Sequence, residues 1–487
     1  MMSGAPSFQR ENAGLPVPPA MRKPSPIIPA RSRLARALVA AAVFLHGIAA
    51  SVPVHAQQGG VPVVRDAEIE ALVRDYARPI FKAAGLANSG INIVLVNDDR
   101  FNAFVAGRRM FINTGALLQS ETPNEIIGVI AHEAGHIAGG HQERLREQLA
   151  RAQTMAVVAG LLGVGATIAG AATKSGGLAQ AGSGIALGGA EAARRTLLGY
   201  QRTEETTADR SALEYLEATG QSAKGMLTTF ARFASALSLS GAKVDPYQVS
   251  HPMPRDRVSN LETLAKKSRY YDKTDPDALQ LRHDMMRAKI AVYTQGQAAA
   301  SRLFKRDPRG LPMMYGDAMA TYLYGNPKSA LQKADALIKA NPKNPYFHEL
   351  RGDILIKANK PAEAAQAYAS AVRLDPVKSG ILQVSYGQAL LATGKPDAVQ
   401  KAVAEIRKGL DRDRENISAY RFLAQAYGQL GEVGEAELAT AEGYFYSGVY
   451  HDAKVFAARA QQKLKRGSPA WVRAQDIINY KAPGKKK

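Results

Sequence analysis

The chain has 487 residues and no cysteine. Disulfides and thiolate chemistry are therefore excluded. No cysteine follows the apolar run near the N-terminus, which also excludes a bacterial lipoprotein anchor. Acids are fewer than bases, 43 against 63, for a formal charge of +20. Aromatics make up 7% of the chain, with one tryptophan, and no basic stripe is interleaved with them. With no nucleic-acid motif either, the excess charge reads as diffuse surface charge. Long apolar runs are scarce: one is short for crossing a bilayer and the other only touches the lower limit.

The first run lies in a leader. Arg31, Arg33 and Arg36 precede the apolar stretch from Ala37 to Ala50, and Val54-His55-Ala56 offers a cleavage site before Gln57. This order predicts a secretory signal over residues 1–56, with export most simply to a bacterial periplasm. An uncleaved anchor is the competing reading. The second run, Met155 to Ala172, is uncharged and rich in Gly and Ala, and Leu178 to Ala190 is a weaker companion. A packed or mobile hairpin or lid over 153–192, a membrane-contacting segment and a span compete there. Its place between candidate metal ligands argues against a span.

The densest chemistry is in Val129 to His141, which contains His132-Glu133-Ala134-Gly135-His136. On a helix, His132 and His136 are about one turn apart and project from one face. The pair can hold one divalent ion, most plausibly zinc. Glu133 can face water at that ion and act as general base in peptide hydrolysis. The flanks Ile126, Ile127, Val129, Ile130 and Ile137 are apolar. The helix is therefore expected in a core, where its polar groups need partners.

Before it, the pattern predicts a helix from Asp66 to Ala84 and a strand from Ile91 to Asn97. Two more strands are expected over Asn102–Gly107 and Met110–Gly115, with a turn at Gly107-Arg108. The motif helix is expected to run from Glu121 to Leu149. The strand at Phe111–Asn113 is a candidate for pairing with an extended substrate. Over residues 191–220 a further helix puts Glu205 and Asp209 on one face. They suit a metal ligand with a supporting acid, or equally a solvated acidic edge compensated by Arg202 and Arg210. Pro252 holds His251 in a loop before another helix.

From about residue 283 Ala-rich amphipathic helices follow with a period of 34. Ala330, Ala364 and Ala398 share that spacing, as do Asn341-Pro342 and Asp375-Pro376. This is the tetratricopeptide pattern of paired helices. A basic tail is expected over 471–487.

A catalytic zinc takes three protein ligands and keeps one position open. A third histidine ten residues after His132 would be at Gln142; His141 misses by one. A glutamate from a later helix is the other route, and Glu205 is the best-placed candidate. With these motifs together, the chain resembles the BepA (YfgC) type of periplasmic zinc metalloproteases with tetratricopeptide repeats, relatives of the HtpX and CAAX prenyl proteases. The resemblance rests on Asn102-Ala103-Phe104 with Gly107 and Gly115, the zinc helix, Glu205-x-x-Ala208-Asp209, His251-Pro252 and the repeats. It implies one Zn2+ per chain on His132, His136 and Glu205, with Glu133 as base. Asp209 would orient a ligating histidine or donate a proton. His251 would fill the open metal position at rest or stabilise the oxyanion, with Arg257 as its companion.

The expected fold is mainly α. An α+β zinc metalloprotease domain with a small sheet, residues 57–275, precedes an α-helical tetratricopeptide-repeat solenoid, residues 283–470. The implied function is exported endopeptidase action in quality control and assembly of outer-membrane proteins. Misfolded outer-membrane proteins would be its clients, and the repeats would dock the assembly machinery. The alternative is a chaperone or binding protein whose repeats dominate and whose zinc site is auto-inhibited.

Overall fold

Asp66 begins the first helix by accepting the Ile69 N–H on its side chain at 2.9 Å, an N-cap that satisfies one of the donors a helix start leaves unpaired. The computed structural model describes residues 62–151, 153–155, 158, 198–239, 251 and 255–482. The expectations for the leader lie outside the described residues, as do nearly all those for the Gly/Ala-rich segment. Among the described residues no helix is long and apolar enough to cross a membrane.

Helix α1 (Ala67–Ala83) buries Ile69, Leu72, Val73, Tyr76 and Ile80, the stripe its sequence period predicts. Strands β1 (Val63–Val64), β2 (Asn92–Val96), β3 (Ala103–Ala106) and β4 (Arg109–Asn113) form one mixed sheet in the order β1-β2-β4-β3. β2 and β4 run parallel, with Leu95 opposite Ile112, and the hairpin β3–β4 places Phe104 opposite Phe111. The chain turns helical at Thr114, earlier than expected, in α2 (Thr114–Gln119).

The strand order corrects one expectation. β4 is enclosed by β2 and β3, so Phe111–Asn113 has no free edge for substrate. Among the described strands the edges are β1 and β3, and the edge beside β4 is β3. There the Gln142 amide accepts from the Gly107 N–H at 2.8 Å and donates to the Val105 carbonyl.

Helix α3 (Pro123–Ala138) opens on a proline, whose missing N–H is no loss in a first turn. It lies in the core with α1, the sheet and α6 (Lys224–Leu239). The motif helix is not continuous to Leu149: it stops at Gly139-Gly140, and a separate helix α4 starts at 141. Helix α5 is described over 198–218, and α7 (Arg255–Ala265) follows the His251 loop.

Helix α8 (Asp277–Gln295) faces two ways. Its Met286 and Ile290 join the core around α1 and α3, while Met285 and Val292 join the core of the helices that follow. Those helices pack in sequence. Pro327–Ala340 and Pro361–Leu374 begin 34 residues apart, matching the sequence period. The later helices Ile417–Gln429, Val433–Tyr446 and Tyr450–Gln461 drift from it. A further helix, Pro469–Asn479, buries Ala470, Ala474 and Ile477 where the sequence predicts a tail from 471.

Candidate active site

Three segments converge at the middle of α3. His132, Glu133 and His136 come from α3, Glu205 and Asp209 from α5, and His251 from a bend N-terminal to α7. All six side chains are buried. The crossing of α3 and α5 depends on Gly135: a Cβ there would lie 2.9 Å from the Ala208 carbonyl oxygen. Because Gly135 has no side chain, the backbone of α5 comes close enough for Glu205 and Asp209 to reach the two imidazoles.

His132 Nε2 and His136 Nε2 are 3.1 Å apart. The Glu205 oxygens lie 3.3 Å from each of them. His251 Nδ1 approaches Glu205 Oε1 at 3.0 Å and His132 Nε2 at 3.3 Å. One donor atom from each of these four residues falls within 4.8 Å of all the others. A tetrahedral ion ~2.0–2.1 Å from its donors separates them by roughly 3.3 Å. The donor spacing therefore fits a single divalent ion. The chemistry fits as well: three imidazoles and a carboxylate, the donor types zinc takes, bring one atom each to a common point.

Glu133 lies beside this cluster rather than in it. Its Oε1 is 3.5 Å from His251 Nε2, and neither carboxylate oxygen has a hydrogen-bond partner. An unpaired buried carboxylate is costly to keep. Burial pushes its pKa up to about 7, near where a general base works best.

The surrounding charges hold these side chains. Asp209 Oδ1 lies 2.9 Å from His132 Nδ1, in contact though not in a straight hydrogen bond. Of the two histidines open to it in the sequence, Asp209 thus faces His132. Arg257 donates to both Asp209 oxygens, through Nε to one and through Nη2 at 2.8 Å to the other, and lies 3.0 Å from Glu205 Oε2. Arg257 is therefore a clamp on the two acids of α5, a wider role than companion to His251. Burial would raise both acids, but Arg257 and His132 hold Asp209 below the usual carboxylate range, and His251, His132 and His136 do so for Glu205. Burial alone would lower His132, yet Asp209 and Glu205 overrule it and raise it to about 9. Burial lowers His136 and His251, which leaves their lone pairs available.

Two neighbours were not legible in advance. Phe230 on α6 stands edge-on to His132 at 5.7 Å between centroids and lies under the Arg257 guanidinium at 5.6 Å. No sequence signal separates it from an ordinary core aromatic. His141, rejected as a third ligand, touches His136 from behind. Its spacing from the motif was visible, but not its direction.

Residues 64–265 match peptidase family M48. Over 423 residues the chain is 23% identical to the beta-barrel assembly-enhancing protease of Escherichia coli (strain K12), covering 84% of this chain and 82% of that protein. A putative beta-barrel assembly-enhancing protease of Vibrio cholerae is 24% identical over 425 residues, 85% of this chain and 84% of its own length. The metalloprotease YcaL of Escherichia coli (strain K12) is 28% identical over 211 residues, 42% of this chain and 76% of its own.

Proposed function

On the premise that residues 64–265 are a peptidase family M48 domain and the chain a metallopeptidase, we propose a zinc endopeptidase acting in the assembly and quality control of outer-membrane proteins. His132, His136 and Glu205 are its ligands and Glu133 its base. The observation that carries this reading is the convergence of those three ligands beside a Glu133 whose oxygens have no partner. Zinc held there supplies Lewis acidity toward a peptide carbonyl and makes nearby water acidic. Glu133 removes the proton from the attacking water and delivers it to the leaving amine. Asp209 holds the His132 ring in orientation, and Arg257 fixes Asp209 and Glu205 together. Misfolded or stalled outer-membrane proteins are the clients, a class suggested by the names of the relatives. Residues 57–275 form the protease part, and tetratricopeptide repeats from 283 dock client or assembly machinery. The signal over 1–56 delivers the chain to the periplasm.

His251 supports a closed resting state. With Nδ1 near His132 and Glu205, it takes the place of a fourth donor that substrate and water need. Opening the site then means withdrawing the His251 ring from this place, after which it can donate to the oxyanion. If the site stays closed in use, the chain serves as a chaperone through its repeats.

The test is cleavage of an unfolded model substrate by the mature chain, with bound zinc quantified, in wild type, Glu133→Gln and His251→Ala. Zinc retained with hydrolysis lost in Glu133→Gln supports the peptidase assignment. A silent wild type with an active His251→Ala supports the closed state. Zinc bound with no cleavage in any form favours the chaperone reading, and no zinc in wild type sinks the site assignment.

A further inference from the structure

His141 is the histidine that the motif arithmetic leaves over, and its place in the fold is constructed with care. Gly139 ends α3, its N–H bonding the Gly135 carbonyl at 2.9 Å, and the Gly140 N–H reaches Ile137 at 3.0 Å. Gly140 has φ +64°, a left-handed step that glycine takes without steric penalty. That step starts α4 with His141 folded back against the end of α3. A Cβ on Gly139 would stand 2.2 Å from His141 Nε2, so only glycine leaves the ring its space.

The ring makes two polar contacts. His141 Nδ1 is 2.8 Å from His136 Nδ1, with the rings edge-to-face at 85°. His141 Nε2 is 2.7 Å from Glu204 Oε2, a close polar approach rather than an aligned hydrogen bond. Glu204 is held in turn by Arg144, through Nη2 at 2.8 Å and Nε at 3.3 Å. Arg144 also donates to the Gly139 carbonyl at the glycine turn.

We infer that His141 is a positioning residue for His136. It receives the His136 Nδ1–H and so leaves His136 Nε2 bare toward the donor cluster. The argument is one of tautomers. An ionised carboxylate repels a bare ring lone pair and attracts an N–H dipole, so Glu204 at 2.7 Å favours the His141 tautomer with its proton on Nε2. His141 Nδ1 is then an acceptor, and the proton between the two Nδ1 atoms belongs to His136. Two carboxylates therefore orient two ligand rings by different routes. Asp209 acts on His132 directly, and Glu204 acts on His136 through an intervening imidazole. The adjacent Glu204 and Glu205 thus divide their work, one behind a ligand ring and one among the ligands.

This inference rests on His136 being a metal ligand. The experiment uses the mature chain with zinc and, separately, cobalt. Zinc affinity is measured by competition with a chromophoric chelator, the cobalt complex by its visible spectrum, and the apo form by its thermal midpoint. His141→Leu is expected to weaken zinc roughly 10- to 100-fold and shift the cobalt spectrum, with the apo midpoint unchanged. His141→Asn, whose Oδ1 stands where the ring Nδ1 stood, is expected to restore most of the affinity. Glu204→Leu, on a different helix, is expected to weaken zinc in the same direction and serves if His141→Leu does not fold. Wild-type affinity in both leucine variants, or equal losses in His141→Leu and His141→Asn, would overturn the inference while leaving the ligand assignment standing. A wild type that binds no metal overturns both.

Discussion

Gly135 and Ala208 touch backbone to backbone: a methyl group on Gly135 would lie 2.9 Å from the Ala208 carbonyl oxygen and 3.0 Å from its Cα. Gly135→Ala must push α5 away from α3, and with it Glu205 and Asp209. Overpacking of this kind costs about 1–3 kcal/mol. The expected outcome is a modest fall in thermal midpoint with a much larger loss of bound metal. Metal content preserved in the folded variant would show that the two helices are held apart by something else.

Asp209→Asn keeps the shape beside His132 Nδ1 but removes the charge that Arg257 also grips. Metal affinity should fall roughly 10- to 100-fold, the usual effect of losing a partner behind a ligand. Chelator competition at neutral pH checks it.

The site was legible in part and for a definite reason. His132, Glu133 and His136 lie within one turn, so helical spacing alone brings them together. Glu205 and His251 join them through tertiary packing, which sequence distance does not encode. The stripe of α1 and the repeat period were equally local and equally readable. The Gly139-Gly140 break was present in the text, yet an apolar period on one side and a charged one on the other read as a single helix. The position of β4 inside the sheet is a matter of strand order, and no periodicity carries it.

His283 gives a pH test away from the metal site. Its Nε2 donates to the Ser120 carbonyl at 2.8 Å, and its Nδ1 accepts from the Tyr76 hydroxyl at 3.0 Å, which requires the neutral ring. Burial pushes its pKa down to about 4. The folded value is below the ordinary 6.5, so the contribution to stability is complete above about pH 6.5 and is lost as pH falls toward 4. A shift of that size corresponds to about 3 kcal/mol. Urea unfolding of wild type and of the non-titrating His283→Gln, compared at pH 7 and pH 4, should show their difference shrinking by about that amount. A pH-independent difference would refute the assignment.

Lys289 lies buried on α8 with its Nζ 2.7 Å from Asp66 and 3.2 Å from Glu68, and the Tyr315 hydroxyl donates to Glu68 at 2.7 Å. Lys289→Met strands the buried Glu68 without a cation, a change that costs about 3–5 kcal/mol. Adding Glu68→Gln should recover part of that loss in a double-mutant cycle by chemical denaturation. Simple additivity would mean that the two residues do not act on each other.

Helix α8 sends Met286 and Ile290 into one core and Met285 and Val292 into the next. The chain is therefore not a catalytic bead tied to a separate scaffold. A nick in the turn before α8 would leave neither fragment with a finished interior, and a chain ending at residue 276 would lose Met286 and Ile290 from the first core. Heating should accordingly melt both cores that α8 joins in one cooperative step, so that a displacement of the helices after α8 is felt at once by the core that holds α3.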